Sequence, residues 1–417
     1  MRDILIFAIV FASLPLIFRN PVVGVLMWVW ISVMSPHTQG WGMATRFPFA
    51  YVIAVCTFAS MMFSRASLSI PWTPPLAALL AFIVWMNVTL PFSLFLQASI
   101  DQWSRVMKIM LMNFVVAMLV KSREDIRRLI WVLTVSLGYY GIKGGLFTLR
   151  NGGGQRVWGP SGTFIGDNNA LALALIMAIP LMYFLYQSTE RTMLRRLLIA
   201  AMLLSALAAL GSYSRGGLLA IGAMCAFLWF KSRNKLAVGA ALLAAAPALL
   251  LFMPEEWTAR MDTINDYHSD ASAQGRLNAW SMAWHLACDR IFGGGFEIYE
   301  PSVFARYAPD PLDVHAAHSI YFQVLGEHGF VGLALYLLMG FLAWRMAARI
   351  IALAAPSTDL RWAVDLATMI QVSLVGFAVG GAFLSLVYYD VPYYLMCALV
   401  ATYAQVRATL QPASRQG

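Results

Sequence analysis

Charge is scarce in this chain. Asp, Glu, Lys and Arg make up 12% of the 417 residues, against about 25% in an average soluble domain. With 60% hydrophobic residues beside so little charge, the composition excludes an ordinary water-soluble enzyme. Cysteine is scarce too. Cys56, Cys225, Cys288 and Cys397 form no CxxC pair, so neither a disulfide framework nor a thiolate metal site is supported. The sequence has no P-loop, no Rossmann glycine pattern and no HExxH. No Asp-x-Asp stands in its polar loops, so a divalent metal holding a sugar nucleotide is not supported. No internal repeat is visible, and a transporter built from inverted repeats would show one.

What is present is apolar length. About 12 or 13 stretches long enough to span a bilayer recur along the chain. They start with a short pair, 4–18 and 21–36, split by Arg19-Asn20-Pro21, and end with 319–344, 364–388 and 391–409. Met1-Arg2-Asp3 leads straight into the first run, which reads as a retained span. The expected fold is an all-α integral membrane protein of about 12 transmembrane helices with one large outer loop. Its parts would be N-terminal spans (1–253), the loop (254–317), and C-terminal spans with a tail (318–417).

The net charge of +9 does not point to nucleic acid, because the cations collect in short loops between apolar runs. One group is Lys121, Arg123, Arg127 and Arg128; a second is Arg191, Arg195 and Arg196. A third is Lys231, Arg233 and Lys235, and a fourth is Arg345, Arg349 and Arg361. The positive-inside rule sets these loops, and the tail with Arg407 and Arg415, in the cytoplasm. Segments 149–167, 212–216, 254–317 and 389–391 then fall on the other face. Residues 254–317 hold ten of the twenty acidic residues, Asp266 and Asp270 among them. Within this loop, 277–288 spaces Leu277, Trp280, Ala283, Trp284 and Ala287 at helical intervals. That spacing predicts an amphipathic helix on the membrane surface, ended by Gly293-Gly294-Gly295.

A few polar residues could carry chemistry at that outer face. Arg215 stands in Ser212-Tyr213-Ser214-Arg215-Gly216-Gly217, inside a largely apolar region from Leu197 to Phe230 that carries no other charge. A guanidinium near a bilayer is costly and suits an anionic ligand, whose phosphate oxygens its planar fork matches; a snorkelling turn residue is the bland reading. Arg276 opens the expected surface helix, where dipole and free amides attract anions, although a salt bridge to a loop carboxylate would also explain it. Arg156, in the glycine-rich 149–167 loop, is a weaker candidate. His318 sits where loop meets span, and imidazole can take a proton near neutral pH; it could equally cap the span. His315 lies three residues earlier, and with Asp313 or Asp310 the pair could hold zinc. Glu327 and His328 lie inside the span, where a hydrogen bond between helices is the expected role.

His318-Ser319, nine residues from Ile320 to His328, then Gly329-Phe330-Val331-Gly332 form a run that resembles one in a known family. With the many spans, the large loop before the last ones and the outer arginine, the chain is similar to O-antigen ligases and to the related O-antigen polymerases and O-glycosylation ligases. Trp28-Val29-Trp30, Ser35-Pro36-His37 and Gly40-Trp41-Gly42 look like the exosortase-associated subgroup. The resemblance implies a GT-C type glycosyltransferase of the bacterial inner membrane, active on the periplasmic side and needing no cofactor or metal. Its donor would be a glycan on undecaprenyl pyrophosphate, and its acceptor a hydroxyl of lipid A–core oligosaccharide. The resemblance places the catalytic base on His318, with His315 in support, and pyrophosphate binding on Arg215 and Arg276; Arg156 is added from its position in the outer loop. A polymerase, a protein O-glycosylation ligase and a polytopic transporter are the alternatives.

Overall fold

The computed structural model describes residues 2–63, 68–232, 234–262 and 271–411. Arg233, Asp266, Asp270 and Arg415 lie outside them. The described residues form sixteen α-helices and no strand. In chain order these are α1 (Arg2–Arg19), α2 (Pro21–Met34), α3 (Phe49–Phe63), α4 (Pro74–Thr89), α5 (Leu96–Leu119), α6 (Arg123–Arg150), α7 (Asn168–Gln187) and α8 (Thr192–Gly211). There follow α9 (Arg215–Lys231), α10 (Lys235–Leu251), α11 (Glu255–Asp262), α12 (Ala271–Asp289), α13 (Pro301–Tyr307), α14 (Ile320–Ala354), α15 (Arg361–Gly381) and α16 (Asp390–Leu410).

Among the described residues, six helices are long and apolar enough to cross a membrane: α4 with the turn after it, α6, α7, α8, α14 and α15. The chain is thus a multi-pass membrane protein. Fewer helices qualify than the sequence led us to expect. α2 and α3 have only 14 and 15 residues, and α9 and α10 have 17 each. Charged residues dilute α1 (Arg2, Asp3, Arg19) and α5 (Arg105, Lys108).

The core centres on α7. It is buried on nearly every face and packed by α6, α8, α9 and α15. In lipid, helices gain no hydrophobic drive from meeting each other, so close packing of small residues takes its place. The α6–α8 pair works this way. A side chain at Gly141 would strike Ser205, one at Gly144 would meet Ala208, and one at Gly145 would strike the Leu204 backbone. Polar caps start the helices that matter here. Asp167 accepts from Asn169 and Ala170 amides at α7, and Ser214 accepts from Gly217 at α9.

α14 is two helices merged across a kink at Gly329 (φ 68°, ψ −172°). A positive φ is cheap only for glycine, and a Cβ there would also strike the Ile291 carbonyl. The kink releases carbonyls from the helical ladder, and buried carbonyls need partners. Three donors meet them: Gly294 N–H to Gly326 O at 2.9 Å, Gly295 N–H to Glu327 O at 2.9 Å, and Trp85 Nε1 to His328 O at 2.8 Å. The triple glycine does not end α12, which stops at Asp289; its backbone instead comes close enough to stitch the loop to α14. Fully buried His328 bridges Thr89 (2.9 Å) and Tyr388 (2.9 Å), while Tyr388 also donates to Glu327. These two residues therefore tie α14 to its neighbours, the structural role expected of them.

The loop helices pack on this stitched end. α12 begins at Ala271, earlier than the sequence pattern indicated. It buries Gly275, Asn278, Ala279, Met282, Ala283, Leu286 and Ala287 against α13 and α14. Leu277 and Trp284, on the apolar stripe expected to face the membrane surface, are 43% and 50% exposed. The face that docks is the one whose small residues admit α14. Arg276 accordingly lies in the second turn, so the helix N-terminus is not what gives it an anion.

Candidate active site

Two strained turns aim the site. Tyr213 (φ 61°) and His318 (φ 42°) are non-glycine residues in the left-handed region, a conformation that persists only where surrounding contacts over-determine it. The Tyr213 hydroxyl donates to Gly153 O (2.8 Å), its N–H to Leu210 O (3.0 Å), and its carbonyl accepts from Arg260 Nε (3.0 Å). The turn delivers Arg215 to a tight cleft walled by Asn169, Ser214, Phe383 and Leu384. Arg260 and Arg276 line the same cleft. Three half-buried guanidiniums therefore converge there, Arg260 and Arg276 lying 45 and 61 residues beyond Arg215 in sequence.

Arg276 is held against the segment that leads to His318. Asn278 Nδ2 donates to Asp310 O (2.8 Å) and Asp313 O (2.9 Å), and Trp280 Nε1 donates to Ala317 O (2.7 Å). The Trp280 ring stacks on Phe322 at 4.9 Å. A Cβ at Gly275 would strike the His315 ring, so glycine beside Arg276 is what lets the two segments touch. His315 in turn pairs with Asp313 at 2.7 Å. Among the described residues, no three His, Cys, Asp or Glu side chains gather in a metal-binding group.

His318 donates its backbone N–H to Ser385 Oγ at 3.0 Å, next to Phe383 and Leu384 of the arginine cleft. Its ring is open to solvent yet crowded by protein. Desolvation holds its pKa below the usual 6.5; the nearby charge of Arg276 and His315 adds to this, and Asp167 opposes it. The imidazole is thus kept neutral at neutral pH, the form that accepts a proton. Asp167 stands ready to offset the charge once it has done so.

Arg215 and Arg276 line one cleft, and His318 lies beside it, within reach of the Arg276 charge. Arg156 does not join them: it lines a different cavity, its guanidinium 5.7 Å from the Tyr213 ring. Arg260, Asp167 and Ser385 were missed. Arg260 is one of four arginines in an acid-rich loop, and Asp167 reads as a helix cap, so neither gave a local signal. Beyond His318 a largely apolar groove of about 260 Å³ runs between α14, α15 and α16, from Ile320 and Tyr321 past Tyr336 to Trp344.

No curated protein matches the chain. Residues 1–190 match a family of unknown function. Residues 200–337 match a family model described as O-antigen ligase. This matched segment holds the three converging arginines and His318, so the site lies in the part of the chain that is similar to the O-antigen ligase family.

Proposed function

We propose that the protein is an O-antigen ligase, an inverting glycosyltransferase that moves a glycan from undecaprenyl pyrophosphate to a hydroxyl of lipid A–core. The observation that carries this reading is the cationic cleft beside a histidine whose pKa is held down. His318 takes the proton of the acceptor hydroxyl. That oxygen attacks the anomeric carbon from the face opposite the leaving group. The carbon–oxygen bond to phosphate breaks, and the electron pair leaves on undecaprenyl pyrophosphate. Arg215, Arg276 and Arg260 neutralise the charge that develops there, so no metal is required for the step. The apolar groove below His318 suits the polyprenyl tail. In the bilayer the chain has about 12 spans, three parts (1–253, 254–317, 318–417), and its active site on the periplasmic side of the inner membrane.

Reconstituted enzyme with polyprenyl-pyrophosphate glycan and lipid A–core tests this directly. Glycan on lipid A–core supports the ligase. A longer polyprenyl-linked chain would make the protein a polymerase, glycan on protein would make it a protein O-glycosylation ligase, and no transfer at all would sink the enzyme reading.

A further inference from the structure

A second cationic cavity lies across Tyr213 from the arginine cleft. Its volume is about 490 Å³. One wall is a single face of α6, carrying Lys143, Phe147 and Arg150 at the i, i+4, i+7 spacing. The other is the loop Arg156-Val157-Trp158-Gly159-Pro160, and Gln39, hydrogen-bonded to Tyr140 of α6, closes the side. The cavity is built, not incidental. Val157 N–H donates to Gly211 O at 2.9 Å, which fixes the loop to the end of α8. Gln39 Nε2 donates to Tyr140 Oη at 2.8 Å, and Tyr139 donates to Gln39 Oε1 at 3.1 Å.

The lining has three cations and no carboxylate. Among the described residues, Lys143, Arg150 and Arg156 form no ion pair. At the other end of α6, by contrast, Arg127 and Arg128 pair with Glu124 at 2.9 and 3.3 Å. Lys143 lies seven residues before the end of a membrane-crossing helix, about 10 Å deeper by helical rise. A lysine at that depth is costly and marks a ligand or a polar path. Trp158, 59% exposed, offers a flat face beside the charges. Charge extending from membrane depth up to the loop, with aromatic surface between, matches an amphiphile with an anionic sugar headgroup.

We infer that this cavity holds the acceptor, through phosphate groups on its lipid-anchored sugars. The assignment rests on the ligase reading in one respect: a transfer between two lipid-linked substrates needs two headgroup sites next to one base. The arginine cleft adjoins His318 through Ser385 and suits the donor pyrophosphate. Tyr213 divides the two sites, its ring toward Arg156 and its carbonyl toward Arg260.

Binding in nanodiscs, read without any transfer step, tests the inference. The probes are lipid A–core, its enzymatically dephosphorylated form, the polyprenyl-pyrophosphate glycan, and inorganic phosphate. Wild type should bind phosphorylated lipid A–core at least about tenfold tighter than the dephosphorylated form, as expected for charge-assisted contacts. The double variant K143Q/R150Q should lose that preference and keep its donor affinity. Both residues are exposed, and a melting curve together with the single variant Arg150→Gln controls for folding. Equal binding of both lipids by wild type, or full preference retained in the double variant, overturns the inference. So does loss of donor affinity in its place, or displacement of the lipid by millimolar phosphate. Selective lipid binding by an enzyme that transfers glycan elsewhere would sink the ligase reading and leave this site standing.

Discussion

Replacing His318 should cost transfer about a hundred- to ten-thousandfold, the usual worth of a positioned general base, or about 2.7–5.5 kcal/mol of barrier. The choice of substituent follows from the backbone. At φ 42° alanine is strained, whereas asparagine visits the left-handed region more readily. His318→Asn therefore removes the base with least disturbance to the Ser385 contact, which uses only the backbone N–H. A pH profile supplies the sharper test. A base acts in its neutral form, so kcat/KM should fall as pH drops through the folded pKa of His318. Desolvation first and Arg276 second hold that pKa below 6.5, so wild type should be on its plateau at pH 7, with its acid limb below 6.5. Removing the Arg276 charge should move the limb upward, and Arg276→Gln should show this apart from any loss of rate. The assay is glycan transfer in proteoliposomes, with donor saturating, across about pH 5–8, the range in which histidine titrates. Near-normal turnover in His318→Asn, or a limb that does not move in Arg276→Gln, would refute the reasoning.

Arg215→Lys keeps the charge but loses the bidentate fork. It should cut turnover about ten- to a hundredfold, the equivalent of one charge-assisted hydrogen bond, and Arg215→Ala should cut it further; unchanged donor affinity and turnover in Arg215→Ala would leave a mere turn arginine. Transfer should persist in EDTA, since three guanidiniums can neutralise the leaving group, and activity lost to chelator and restored by one divalent ion would reverse that view. Gly329→Ala should lower stability by about 1–3 kcal/mol through its positive φ alone, with more from the clash with Ile291. A thermal melt that does not move would show that the kink relaxes.

The class of the protein was legible in composition, because bilayer spans leave a one-dimensional trace in runs of apolar residues. Arg215 and His318 stood out for a related reason: each is a polar group at the edge of an apolar run, where it must be explained. Local periodicity also revealed a helix over 277–288. It set the helix's start too late and gave no sign of the face that docks on protein, since small residues dock only by reference to the α14 surface they meet. The tertiary structure alone decided what each outer arginine joins. Arg260 and Arg276 reach Arg215 across 45 and 61 residues of chain, and Arg156, at a similar separation of 59 residues, ends in another cavity. The lowered pKa of His318 belongs to the same class, because it comes from crowding and from Arg276, 42 residues away. Sequence spacing carries the period of one helix. Convergence of distant side chains is set by how helices pack and by where freed backbone groups find partners, as the glycines at 293–295 do on α14.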